Sequence, residues 1–152
     1  MIKEIGGVKA FKYELRKLGD NISNPQHLEL EFNNYDSTNT TDTTTPKAAA
    51  NTLNTLLTSR QMSDSNRGLL KKVMIENETG DTLIKTGVPD NYIVGDKSGQ
   101  GLTYAIRNDL AFIYPDKHKK PIIILVIYTK QGDINYKQND KVIDQATEKA
   151  IA

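Results

Sequence analysis

Ile122-Ile123-Ile124-Leu125-Val126-Ile127-Tyr128 is apolar at every position, so both faces of this segment must be hidden from water. At six to seven residues it is far too short for the ~20 residues of a membrane-spanning helix, and its β-branched content reads as a strand. A strand apolar on both sides is stable only in a sheet covered by helices above and below. The remaining chain supplies both kinds of element. Tyr92 to Ser98, Leu102 to Asn108 and Leu110 to Tyr114 favour extended structure, and the last two could form one bent strand. Asp140 to Ile151 reads as one covering helix through Val142, Ile143, Ala146 and Ala150.

Upstream of the strands the period is helical. Val8, Phe11, Leu15 and Leu18 recur at helix spacing, and Gly19 ends that helix. Thr45-Pro46 reads as a cap followed by proline at the first helical position, opening a helix from about Lys47 to Leu57. Ser63 caps another through about Ile75, and Gly80 to Ile84 begins a short helix that Gly87-Val88-Pro89 ends. Residues 21–45 lack periodicity and finish in a Thr-rich tract; so long a loop in a small domain is usually functional or disordered.

With 152 residues, 20 Lys+Arg and 19 Asp+Glu, the chain has the length of one domain and a net charge of only +1. No field draws it to nucleic acid or to an anionic membrane. There is no cysteine and only two histidines, His27 and His118, which excludes thiolate chemistry and a multi-histidine metal site. No export signal is legible at the N-terminus, so the compartment is undetermined. Lys117-His118-Lys119-Lys120 reads as a solvated hairpin turn.

Two clusters carry chemical interest. Glu29 and Asn33, four residues apart in the long loop, pair a carboxylate with a carboxamide, and together these can hold and deprotonate a water. Asp96-Lys97-Ser98-Gly99 puts an ammonium and a hydroxyl at a strand end, where an anion can be bound, and Gly99 leaves room for a ligand to lie close. Arg107 offers a second cation on the same hairpin.

These residues, with Ile5-Gly6-Gly7, Leu18-Gly19-Asp20, Asn24-Pro25, Glu29-Leu30-Glu31-Phe32-Asn33, Asp42-Thr43-Thr44-Thr45, Gly80-Asp81-Thr82-Leu83-Ile84-Lys85, Gly87-Val88-Pro89 and Arg107-Asn108-Asp109, resemble the class A serine β-lactamases, in that family's order and near its spacing. The Gram-positive members are most similar, since serine takes the middle place of Lys97-Ser98-Gly99. The resemblance implies an α/β (α+β) fold shared with penicillin-binding proteins: an antiparallel sheet flanked by helices, plus a helical part. It would be incomplete here, as one domain over 1–152, with 1–90 the helical part and 91–152 the strands and final helix.

The implied activity is hydrolysis of a β-lactam ring through an acyl-enzyme, without a cofactor. By resemblance Glu29 is the general base for deacylation and Asn33 helps hold the water. Lys97, Ser98, Gly99 and Arg107 bind the substrate carboxylate, and the Gln100 N–H forms half of an oxyanion hole. His27 stands where the family usually has an arginine that pairs with the residue matched by Asp42. A histidine is mostly uncharged at neutral pH, so a weaker neck to the loop is expected. Leu30 stands where many members have proline, so the family's cis bond after the glutamate is not implied by any proline here.

The family's Ser-x-x-Lys nucleophile and its Ser-Asp-Asn triplet are both lacking. None of Ser23, Ser37, Ser59, Ser63, Ser65 or Ser98 has lysine three residues on, and Ser63-Asp64-Ser65-Asn66 reads as a helix cap. The chain therefore resembles the C-terminal part of the family domain, expected to be inactive alone. Its expected partners are a β-lactam, the upstream segment, or a second copy of itself. In that state Leu53, Leu56, Leu57, Val142 and Ile143 would lose neighbours. Two other readings remain: a penicillin-binding peptidase or sensor, and a non-catalytic interaction fragment. Glu29 with Asn33 argues against the former.

Overall fold

The computed structural model describes residues 2–33, 35–115 and 122–152; the basic tract 117–120 lies outside them. Among the described residues four α-helices and three strands follow in the order α1 (Gly7–Lys17), α2 (Pro46–Thr58), α3 (Asp64–Ile75), β1 (Ile93–Gln100), β2 (Arg107–Tyr114), β3 (Ile123–Thr129) and α4 (Lys141–Ile151). Sequence signals account for the helix starts. The Thr45 side chain accepts from the Ala48 amide ahead of Pro46, and Ser63 accepts from Asn66. Gly19 turns α1 off at φ 89°.

The strands form one antiparallel sheet in the order β1-β2-β3. Alternate residues of the apolar stretch go to opposite faces: Ile123, Leu125 and Ile127 pack with Leu83, Ile84, Ala111, Ile113 and Ile143, whereas Ile122 and Ile124 pack with Leu53, Leu57, Met74 and Phe112. Helices thus lie on both sides, as the double-sided apolarity requires. The centre, however, is β2, whose Ala111, Phe112 and Ile113 are fully buried, while β3 is an edge strand half-buried along its whole length. Gly95 makes room for Phe112, since a Cβ there would lie 2.3 Å from the ring's Cζ.

Two expected elements are different. Residues 79–87 form successive turns rather than a short helix, with Leu83 bonded to Gly80 O, Thr86 to Leu83 O and Gly87 to Ile84 O. An α-helix would send the Ile84 amide to Gly80, but that amide donates to the buried Asp109 Oδ2 at 3.2 Å. Leu102 to Ile106 is a turn, not strand. Gly101 N bonds Ile106 O, and Tyr104 and Ala105 take left-handed φ values of 57° and 49°. Tyr104 instead exchanges backbone bonds with the segment after β3, to Ile134 and from Gln131. Of the side chains expected to lose neighbours, Leu53, Leu57 and Ile143 are buried, Leu56 is half-buried and Val142 is exposed.

Candidate active site

Strand alternation splits the Lys97-Ser98-Gly99 triplet across the sheet. Ser98 lies opposite Asp109 and shares a face with Asp96 and Arg107, while Lys97 and Gly99 lie on the other. Lys97 borders a cavity of about 650 Å³ whose apolar wall comes from Phe11 and Leu15 of α1, Leu53 and Leu56 of α2, and Leu70, Val73 and Met74 of α3. Its ammonium donates to the Ser98 carbonyl and, among the described residues, makes no ion pair. A Cβ on Gly99 would meet only Asn108 Cβ, at 3.7 Å, so packing within the chain leaves that side of the strand open. Gln100 ends β1 opposite Arg107.

The long loop reaches the same cavity through its neck. His27 Nδ1 lies 2.6 Å from Asp42 Oδ2, and Asp42 Oδ1 accepts from the amides of Gln26 and His27 at 2.7 and 3.0 Å. Both residues line the cavity, with Phe32. Burial works against the Asp42 charge, but those amides and the imidazole outweigh it and hold the carboxyl below its ordinary value. The neck is closed by the imidazole on one oxygen of Asp42 and two backbone amides on the other.

Glu29 and Asn33 sit farther out. Glu29 is exposed, its peptide bond to Leu30 is cis, and Asn33 ends a single 3₁₀ turn, Glu31–Asn33. Neither side chain lines the cavity or makes a hydrogen bond among the described residues. The expected carboxylate–carboxamide pair is thus not closed on a common partner within the chain.

Arg107 is not free either. Its Nε and one terminal nitrogen hold Asp140 at 2.9 and 3.3 Å, at the start of α4, and Thr82 donates to the same carboxylate. The Arg107 bond first, then that of Thr82, overcomes burial and keeps the Asp140 carboxyl low. Sequence reasoning passed over Asp140, 33 residues away, whose only local signal is its place before a helix. It also missed the network behind Ser98. Ser98 Oγ lies 2.8 Å from Thr79 Oγ1, Thr79 donates to Asn77 Oδ1, Asn77 Nδ2 donates to Asp96 Oδ2, and Lys85 pairs with Asp96 Oδ1 at 3.0 Å. Asp96 and Asp109 are fully buried diagonal neighbours on one face, and Asp109 Oδ1 has no partner among the described residues.

Comparison with known proteins places this geometry. A family model for the beta-lactamase enzyme family matches residues 1–152. The chain is 37% identical over 147 residues to a beta-lactamase of Bacillus licheniformis and 39% over 148 residues to Beta-lactamase 3 of Bacillus cereus, covering 97% of itself in each case and 47% and 46% of those proteins. It spans about half the length of the curated relatives it matches. A crystal structure of a class A beta-lactamase from Clostridium kluyveri superposes with a TM-score of 0.91 at 37% identity, over 97% of this chain and 55% of that one. A beta-lactamase from Streptosporangium roseum gives 0.92 at 33% identity, over 97% and 55%. With the family model matched over residues 1–152 and the fold superposing over 97% of the chain, the chain belongs to the beta-lactamase enzyme family, among relatives of class A.

Proposed function

We propose that this chain forms the deacylation and substrate-binding part of a serine β-lactam hydrolase, and that the nucleophile comes from polypeptide outside these 152 residues. The observation that carries this reading is the one cavity shared by the neck of the Glu29 loop, at His27 and Asp42, and by Lys97 of β1. Lys97, exposed at its rim and without an ion pair among the described residues, is the cation best placed for the substrate carboxylate. Glu29, on the arm of the loop beyond the neck, takes a proton from water that attacks the acyl carbonyl. The ester bond to the nucleophile then breaks, and the proton passes to the departing serine oxygen. Asn33 orients that water, and the Gln100 N–H steadies the developing oxyanion.

The apolar wall favours cover by further polypeptide over solvent. Phe11, Leu15, Leu56, Leu70 and Val73 face a space large enough to hold several side chains, and leaving so much apolar surface wet is costly. The test is turnover of a chromogenic cephalosporin. The chain alone should be silent, and adding the upstream half of a Bacillus relative should restore hydrolysis that Glu29→Gln removes. Turnover by these 152 residues alone would refute the need for further polypeptide. Failure to restore turnover despite stable association would favour a second reading, a non-catalytic interaction fragment. Self-association through the same apolar wall, read by sedimentation, belongs to that second reading.

A further inference from the structure

Beyond its neck the long loop is tied to the rest of the molecule through one side chain. Among the described residues of 28–41, Tyr35 alone makes a hydrogen bond, ion pair or ring contact with a residue outside the loop. The arm that carries Glu29 and Asn33 bonds only within itself, Phe32 N to Leu28 O at 3.3 Å and Asn33 N to Leu30 O at 3.0 Å. Phe32 reaches the cavity wall but stays 40% exposed, so apolar packing gives the arm little further hold.

Tyr35 has two partners. Its ring meets that of Tyr104 edge to face, with centroids 5.5 Å apart and planes at 83°, and Lys130 Nζ donates to its hydroxyl oxygen at 2.6 Å. An ammonium that close to the oxygen, and 4.9 Å from the ring centre, lies beyond the hydroxyl rather than over the ring face. A charge-assisted hydrogen bond therefore carries this contact. Both partners belong to one braced piece at the end of the sheet. Tyr104 lies in the turn between β1 and β2 at φ 57°, donates its amide to Ile134 O at 3.2 Å and accepts from Gln131 N at 2.7 Å; Gln131 directly follows Lys130. Gln138 Nε2 donates to Gly101 O and Ile106 O at 3.1 and 2.8 Å, which closes the same turn from its base. The seat of Tyr35 is thus continuous with β1, the strand of Lys97 and Gln100.

We propose that Tyr35 is a positioning residue, an outer clamp that fixes the arm bearing Glu29 and Asn33 to the end of β1, as His27 and Asp42 fix its inner end. This rests on the reading that Glu29 directs water at an acyl group held near the Gln100 N–H. It adds a reason for the two parts to keep their separation, since base and oxyanion donor are tied to one braced turn. A single anchor at the neck leaves the arm free to swing, and a misplacement on the order of 1 Å can cost about a hundredfold in rate.

Endoproteinase Glu-C, which cuts after glutamate, reads the arm without any ligand. In the native full chain Tyr35→Ala should speed cutting after Glu31 about tenfold, the worth of one ring contact and one exposed hydrogen bond, and leave cutting after Glu14 in α1 unchanged. Tyr35→Phe keeps the ring on Tyr104 and should give a smaller rise. Lys130→Met should match Tyr35→Phe, and adding it to Tyr35→Ala should change nothing more. Unaltered cutting after Glu31, an equal rise after Glu14, or additive effects of the two variants would each overturn the clamp. The functional arm uses the chain with the upstream half of a Bacillus relative and the chromogenic cephalosporin. Tyr35→Ala should leave the initial burst unchanged, slow the steady phase about tenfold and let acyl-enzyme accumulate, as read by mass spectrometry; Tyr35→Phe should recover part of the rate. Burst and steady phase slowed alike would refute positioning, because a purely structural role lowers both together. Absence of turnover with the unsubstituted chain would instead overturn the reading of Glu29, and the clamp is then decided by the proteolysis.

Discussion

Replacing Asp109 by asparagine should stabilise the chain at neutral and alkaline pH and do little in mild acid. Asp109 is fully buried, and burial first, then the charge of Asp96, push its carboxyl from 3.8 up to about 7, against the Ile84 and Leu110 amides and Arg107. A carboxyl whose folded pKa is raised contributes stability that is complete below its unfolded pKa and is lost as pH rises through the folded value. For Asp109 that window runs from 3.8 to about 7. A shift of roughly three pKa units at about 1.4 kcal/mol each sets an upper figure of about 4 kcal/mol. Asparagine has nearly the same shape, keeps an oxygen for the Ile84 amide that Asp109 Oδ2 now accepts at 3.2 Å, and carries no charge at any pH. Urea unfolding of both proteins, followed by circular dichroism across the window, isolates the effect, because every other carboxyl titrates in both and largely cancels. The difference in unfolding free energy should drift toward the variant by about 2 to 4 kcal/mol and then level off near neutrality. A flat difference would refute the argument from burial and Asp96. A drift the other way would mean that Asp109 is ionised in the fold and stabilises it.

His27→Ala should cost about 1 kcal/mol near neutral pH and speed proteolytic cutting within residues 27–43, because it removes the 2.6 Å bond to Asp42 while leaving the Gln26 amide in place. Asp42 is held low in the fold, so its stabilisation is present above its unfolded pKa and is lost as pH falls; the penalty of His27→Ala should vanish in acid. Equal cutting rates at neutral pH, read by mass spectrometry, would count against a closed neck. Gly95→Ala should lower the thermal midpoint strongly. Its Cβ would meet Phe112 at 2.3 Å in the most buried layer of the sheet, an overpacking cost of about 1 to 3 kcal/mol. A midpoint equal to wild type would show that the ring can move aside.

Much of the architecture was legible in local patterns, because strand and helix periods, caps and stops are written over a few neighbouring residues. The Ile122–Tyr128 stretch demanded cover on both faces, Thr45-Pro46 and Ser63 marked helix starts, and Gly19 marked a stop; each is seen in the fold. The ordered motifs carried the family. Where a long-range partner competes with a local pattern, the sequence misleads. Gly80 to Ile84 reads as a helix, but the Ile84 amide is taken by Asp109, 25 residues on. Likewise β3, the most apolar strand, lies at the edge of the sheet, because apolarity records burial and says nothing about which strand pairs on each side. The candidate site shows the same division. The identities of Lys97, Ser98 and Arg107 come from sequence alone. Only the tertiary structure decides that Arg107 is engaged by Asp140 and Ser98 by Thr79, because a hydrogen bond depends on a separation of a few ångströms that chain folding, not sequence spacing, creates.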